Sequence, residues 1–162
     1  MRITRSSNFT SGTDEVFAVI ASEDHQQAKV AAQVADANAT VTEQAGGITS
    51  VHTQRSLPTS GMPPAVSSLA GSTLTVTERQ TWRPPASDGT RVADLEITVE
   101  GVPLRLQGTI TLSQRGAGSQ LAVDADLRCS VPFVGKKIEA AARPAIEESF
   151  DLEARLLSEQ LA

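Results

Sequence analysis

Two ionisable side chains, Arg55 and Glu78, stand in strand-like segments at positions that an alternating pattern predicts to face inward. In each segment the alternation starts from apolar residues, which define the buried face, and reaches the charged residue a few positions later. Thr53, Gln80 and Trp82 fall on the same two faces. Because an unpaired charge in an apolar interior is prohibitively costly, Arg55 and Glu78 would pair with each other or with a bound ligand.

This pair admits two interpretations. If both side chains lie near an end of the sheet, water solvates them and the pair contributes about 0–1 kcal/mol. If both are buried, removing one partner strands the other charge, and Arg55→Met would cost roughly 3–5 kcal/mol. The residues alone leave both interpretations open.

The other candidate reactive side chains point to structural roles. His52 falls on the outward phase of its strand, and His25 follows two acidic residues at a helix start, where capping explains it. Cys129 lies on an inward phase, where a free cysteine behaves as a small hydrophobe. The histidines and the cysteine have no metal-ligand spacing, and neither Gly-x-Ser-x-Gly nor a phosphate-binding glycine pattern occurs. We therefore expect no metal, no cofactor and no identifiable catalytic set.

The elements that must position these residues follow an α+β order. A short strand over residues 2–9 precedes two short helices, the first with Thr13 as its N-cap and the second starting at Ser22 to Asp24. A long helix spans Phe133 to Leu161. Between them, residues with a period of two predict six strands: Ala39–Ala45, Ile48–Leu57, Thr73–Arg83, Arg91–Glu100, Leu104–Ser113 and Ser119–Val131. Short turns between consecutive strands predict an antiparallel meander.

The long helix carries a stripe that faces the sheet. Steps of 100° place these residues on it: Val134, Ile138, Ala141, Ala142, Ala145, Ser149, Leu152 and Leu156. Its middle is small, which indicates either close packing of helix on sheet or a space between them. Because the chain has four Phe, one Trp and no Tyr to fill that space, a cavity is favoured. Pro144 removes one internal hydrogen bond and is expected to kink the helix.

Length and composition are those of an ordinary globular protein. The 162 residues predict one domain over 1–162, with 40% hydrophobic and 20% charged residues. The net charge of −5 and the lack of a basic stripe argue against nucleic acid or an anionic membrane as a partner. No stretch has the length and apolarity of a signal peptide or a membrane span, so neither stable membrane insertion nor export is expected. With its single cysteine, the chain is expected in the cytoplasm.

Two segments, together with the order of elements, carry a resemblance to a known family. They are the strand Glu78-Arg79-Gln80-Thr81-Trp82 and the strand-to-helix junction Pro132-Phe133-Val134-Gly135. Over nearly its whole length the chain resembles an uncharacterised bacterial domain-of-unknown-function family in the START-like, polyketide-cyclase-like (SRPBCC) superfamily. The resemblance implies a helix-grip fold, a curved antiparallel sheet of about seven strands around the C-terminal helix, with a deep pocket for hydrophobic molecules. Superfamily members include lipid carriers, cyclases and dehydratases without a shared catalytic set, so no residue role is carried over.

Three functions remain after this comparison. The first is binding of a small hydrophobic or amphipathic ligand, lipid-like or polyketide-like, under a candidate lid from Gly61 to Ala70. The second is a cyclase or dehydratase with Glu78 as general base, and the third is a structural domain with a filled core and no pocket. The expected ligand-binding residues are Thr53, Arg55, Glu78, Gln80, Trp82, Leu95, Leu106, Ala142, Ala145 and Ser149.

Overall fold

The computed structural model describes residues 1–162 as seven strands and four helices. The strands are β1 (Arg2–Phe9), β2 (Ala37–Gln44), β3 (Ile48–Pro58), β4 (Thr73–Trp82), β5 (Arg91–Val99), β6 (Val102–Arg115) and β7 (Gly118–Cys129). The helices are α1 (Thr13–Ile20), α2 (Glu23–Ala31), α3 (Pro64–Ala70) and α4 (Gly135–Leu161). No helix combines the length and the apolar character that crossing a membrane requires.

All seven strands belong to one antiparallel sheet with the order β1-β7-β6-β5-β4-β3-β2. Strands β2 to β7 follow one another as a meander, and β1 closes on β7 with Ile3 opposite Ala125. In the register of β3 with β4, Thr53 lies opposite Glu78 and Arg55 opposite Val76. The predicted α+β class, with seven strands, two short helices after the first strand and a long C-terminal helix, is confirmed.

Glycines determine two of the connections. Gly46 and Gly47 in the β2–β3 turn have φ angles of 80° and 75°, a region in which residues with a side chain are strained. At the β7–α4 junction, a Cβ atom on Gly135 would lie 2.5 Å from the carbonyl oxygen of Cys129. Only glycine permits the helix to start this close to the last strand. The junction also holds Phe133 at a φ of 67° with its ring fully exposed.

The N-cap of α1 lies one residue before the predicted position, whereas the N-cap of α2 lies where it was predicted. Helix α1 is capped by Gly12 without a side-chain hydrogen bond, so the prediction of Thr13 as N-cap is wrong; Thr13 is instead buried as the first helical residue. In α2 the hydroxyl of Ser22 accepts a hydrogen bond from the backbone N–H of His25, as expected of a start signal at this position.

Helix α4 lies against the inner face of the sheet and runs without interruption through Pro144. Its fully buried residues include Ile138, Glu153 and Leu157, whereas Leu152 and Leu156 are half-buried. In the first half of α4 the predicted stripe includes the buried Ile138 but misses the buried Glu139, and in the second half the buried positions are displaced from it by one. Polar contacts explain this displacement, because Glu153 points inward to reach the buried His25 and Lys29 of α2.

The inner face of the sheet divides into two parts. One half carries a filled core of 17 buried residues, in which Trp82 packs edge-on against Phe17 of α1 with ring centres 5.4 Å apart. The other half carries a smaller cluster that packs under α3, with Val66, Leu74, Val102 and Ile138 at its centre. Space remains between this second half and α4.

Candidate ligand-binding site

Buried ionisable side chains of α2, β4 and α4 form a layer of polar contacts beside the filled core. Lys29 of α2 lies at its centre, with Nζ 3.0 Å from Oε1 of Glu78 and 3.3 Å from Oε2 of Glu153. Nε2 of His25 lies 3.2 Å from the same Glu153 oxygen. All four residues are at least nine-tenths buried. Gln160 donates its amide N–H to Nδ1 of His25 at 2.8 Å, so the proton of a neutral ring is on Nε2.

The electrostatics of the layer explain why its charges persist in the interior. Burial raises the pKa of Glu153, but the attraction of Lys29 and the hydrogen bond from His25 outweigh it and lower the pKa to about 2. Burial likewise lowers the pKa of Lys29, and the charges of Glu153 and Glu78 more than reverse the effect, so its pKa is raised. The cationic and anionic forms therefore stabilise each other.

Arg55 lies at the edge of this layer, and its partners differ from the predicted ones. Its Nη2 atom is 3.9 Å from Oε1 of Glu78, farther than Nζ of Lys29. Its Nη1 atom donates to Oε1 of Gln33 and, at 3.3 Å, to the hydroxyl of Ser149. Gln33 also donates to that hydroxyl at 2.9 Å. Both Arg55 and Glu78 are buried, so a solvated pair at the sheet end is excluded, and Lys29 is the principal partner of the carboxylate.

A cavity of about 580 Å³ adjoins the guanidinium of Arg55, between α4, the end of α2 and the inner face of strands β3 to β7. Of its 26 lining residues, 18 are hydrophobic. Five predicted site residues line it: Arg55, Leu106, Ala142, Ala145 and Ser149. Its position against the small segment of α4 from Ala141 to Ser149 agrees with the expected space between helix and sheet. A filled core would have had no such volume.

The other five predicted site residues lie outside the cavity lining: Thr53, Glu78, Gln80, Trp82 and Leu95. They are buried on the same face of the sheet, but toward the filled core. The indole N–H of Trp82 donates to Oε1 of Gln80 at 2.9 Å, which satisfies it inside the core. Alternation along the strands located the inner face correctly but could not tell which end of it remains open.

The candidate lid contributes to the cavity wall. Gly61, Met62 and Pro63, which precede α3, line it together with Val66 of α3. Exposed residues at its rim include Ala32, the C-cap of α2, and Ala145 of α4, so the cavity is open to solvent between these two helices.

Sequence reasoning missed Lys29, Glu153, Gln33 and the inward position of His25, whose ring is a buried hydrogen-bond partner of Glu153. A helical spacing could have found part of the set, because Gln26, Lys29 and Val30 share the face of α2 that is buried. The apolar pattern of α4 predicted that Leu152, and not Glu153, faces inward. The burial of Glu153 is explained by its contact with Lys29 on a different helix.

The family comparison covers almost the entire chain. Residues 4–161 match the family described as protein of unknown function (DUF2505). The uncharacterized protein Rv0481c of Mycobacterium tuberculosis is 23% identical over 158 residues, which span 93% of this chain and 90% of that protein. The uncharacterized protein Mb0491c of Mycobacterium bovis has the same identity and coverage.

Solved structures share the fold at low sequence identity. A STAR-related lipid transfer protein from Xanthomonas axonopodis has a TM-score of 0.59 at 16% identity, covering 99% of this chain and 85% of that one. The Zhui aromatase/cyclase from a Streptomyces species has a TM-score of 0.58 at 12% identity, covering 99% and 92%. The Thermus thermophilus protein TTHA0849 has a TM-score of 0.63 at 12% identity, covering 98% and 95%. At such identities the likeness concerns the fold. The chain therefore has the START-like helix-grip fold and belongs to the DUF2505 family.

Proposed function

We propose that this protein binds and carries a small hydrophobic or amphipathic molecule in the cavity between the sheet and α4. The observation that carries the proposal is the cavity itself, about 580 Å³ with mostly hydrophobic lining. Sites for small molecules commonly measure about 300–1,000 Å³ and combine apolar walls with a few polar groups. Here the polar groups are Arg55, Gln33 and Ser149, gathered at one wall.

The fold neighbours agree with such a role at the level of the fold. One is a STAR-related lipid transfer protein, which favours a lipid-like ligand, and another is an aromatase/cyclase. Because function belongs to sites and not to folds, the neighbours support the class of ligand and not its identity.

The alternative with Glu78 as the base of a cyclase or dehydratase has less support. Glu78 does not line the cavity, and Lys29 holds its carboxylate at 3.0 Å inside the protein. A general base must come within about 2.6–3.2 Å of the proton that it removes, directly or through one water. A ligand in the cavity would reach Arg55 before it reached Glu78.

The test is a titration with Nile red, an uncharged dye whose fluorescence rises in apolar surroundings. We expect saturable binding of one dye molecule to the wild-type protein. Ala145→Phe places a ring in the cavity and should weaken binding at least about tenfold. Ala145 is exposed at the rim, so the substitution need not disturb the core, whereas Ala142 packs against the core and is a less suitable position.

The matched control is Ala140→Phe, on the same helix but exposed and outside the cavity lining. It should bind Nile red as the wild-type protein does. Equal binding by both variants would place the dye elsewhere and refute the proposal, as would a wild-type protein that binds no dye.

A further inference from the structure

We infer that the ligand carries a single carboxylate and that Arg55, together with Gln33 and Ser149, holds it, with the apolar part of the ligand filling the remainder of the cavity. This inference rests on the proposed function and specifies the chemical class of its ligand. It starts from the charged groups that the cavity presents.

Arg55 is the one deeply buried ionisable side chain of the cavity lining. Its side chain is 6% exposed. The other charged lining residues are Glu148, Asp151 and Arg155, and all three are exposed at the rim. A charged ligand group at the rim would gain little because water screens it, whereas a group at Arg55 would meet a cation in an apolar surrounding.

The hydrogen-bonding of Arg55 is incomplete. Six buried side-chain nitrogen or oxygen atoms of the protein have no hydrogen-bond partner, and Nε of Arg55 is the only one that belongs to a residue lining the cavity. A guanidinium has five N–H donors arranged as a fork that fits a carboxylate with two parallel bonds. Leaving such a donor without an acceptor is unfavourable in a buried position.

The guanidinium of Arg55 also has no carboxylate within hydrogen-bond distance, since Glu78 lies 3.9 Å away. The two buried carboxylates of the layer, Glu78 and Glu153, both lie closer to Lys29, at 3.0 and 3.3 Å. The oxygen acceptors that Arg55 does reach, on Gln33 and Ser149, are neutral. A ligand carboxylate would be the first anion in hydrogen-bond contact with this guanidinium.

The neighbouring groups favour one negative charge over two. Glu78 lies 3.9 Å from the guanidinium and would repel a second charge placed there. The Ser149 hydroxyl oxygen accepts from Gln33 and Arg55, so its O–H remains available to donate to a carboxylate oxygen. A carboxylate therefore fits this wall better than a phosphate monoester, which carries close to two charges at neutral pH.

The experiment displaces Nile red from the wild-type protein and from Arg55→Met with three probes of equal chain length: dodecanoic acid, dodecanol and dodecyl phosphate. Near neutral pH the acid is ionised. In the wild-type protein the acid should bind more tightly than the alcohol. We expect this preference, the ratio of the two affinities, to fall at least about tenfold in Arg55→Met, because the variant loses a charged hydrogen bond to the acid. Arg55→Lys, which keeps the charge but not the fork, should lie between the two.

The matched control is Arg79→Met, which removes the same charge from an exposed position of β4 outside the cavity. It should leave the ratio unchanged. A ratio that Arg55→Met does not alter, or tighter binding of dodecyl phosphate than of dodecanoic acid, would overturn the assignment while leaving a working cavity. If Nile red and dodecanol both fail to bind the wild-type protein, the proposed function itself fails.

Discussion

Nζ of Lys29 lies 3.0 Å from Oε1 of Glu78, and both side chains are almost completely buried. The two residues come from α2 and β4, so this contact joins the inserted helical pair to the middle of the sheet. Because Lys29 also contacts Glu153, one ammonium group serves two buried carboxylates. Its removal should affect the fold more than the removal of any single anion.

Lys29→Met is expected to lower the free energy of unfolding by about 3–5 kcal/mol, since it leaves two carboxylates in the interior without their nearest cation. Arg55→Met should cost less, about 1–2 kcal/mol, because Glu78 keeps its nearer cation Lys29 and loses only the more distant one, together with the hydrogen bonds of Arg55. Urea denaturation monitored by circular dichroism measures both. An Arg55→Met loss as large as that of Lys29→Met would contradict this order.

Adding Glu78→Gln to Lys29→Met provides the control for that result. The double variant strands one carboxylate where the single variant strands two, so it should recover at least about 1 kcal/mol. If the second substitution lowered stability further, the loss in Lys29→Met would have a cause other than stranded charge.

The pH dependence of stability should contain a contribution from Glu153. Its pKa is about 2 in the folded protein against 4.5 as the ordinary value, so the unfolded chain binds the proton more readily. The stabilisation is therefore complete above about pH 5 and is lost as the pH falls toward 2, on the order of 3 kcal/mol in total. Lys29, whose pKa is raised, loses its contribution only at alkaline pH.

The comparison of wild type with Glu153→Gln isolates this group, because exposed carboxylates such as Asp124 and Asp126 titrate equally in both. Unfolding free energies measured at intervals from neutral to acid pH should converge as the pH falls. A gap between the two proteins that stays constant down to about pH 2 would show that Glu153 is not held ionised by its neighbours.

Phe133 offers a substitution that should increase stability. Its backbone is left-handed, with φ at 67°, and its ring is fully exposed, so the strain is not offset by buried area. The left-handed conformation costs an ordinary residue about 1–2 kcal/mol, and asparagine tolerates it better. Phe133→Asn should gain about 0.5–1 kcal/mol in urea unfolding, and Phe133→Ala, which keeps the strain, should change little. A clear loss in Phe133→Ala would mean that the ring makes a stabilising contact.

The architecture was predictable because period-two and helical patterns repeat over many residues. The strand faces carrying Leu95, Leu106 and Glu78 were placed correctly, and so was the small segment of α4 around Ala145. These properties depend on local alternation, which one sequence displays directly.

The partners of the charged residues were less predictable because they depend on contacts between distant elements. Lys29 precedes Glu78 by 49 positions, and Glu153 follows Glu78 by 75 positions. No local pattern in the sequence predicts that residues so far apart in the chain contact each other. Burial of a lysine or glutamate requires a partner, so the sequence of either helix alone favours an exposed position for both. The division of the sheet into a filled half and an open half likewise depends on how α1 and α3 cover it.

Occupancy of the cavity can be observed directly by nuclear magnetic resonance. With methyl-labelled protein and unlabelled dodecanol, isotope-filtered nuclear Overhauser spectra report which methyl groups touch the alkyl chain. We expect contacts to Val66, Leu104 and Ala145, which line the cavity from three different elements. Contacts confined to the exposed Leu69, or no contacts at all, would contradict a ligand site between the sheet and α4.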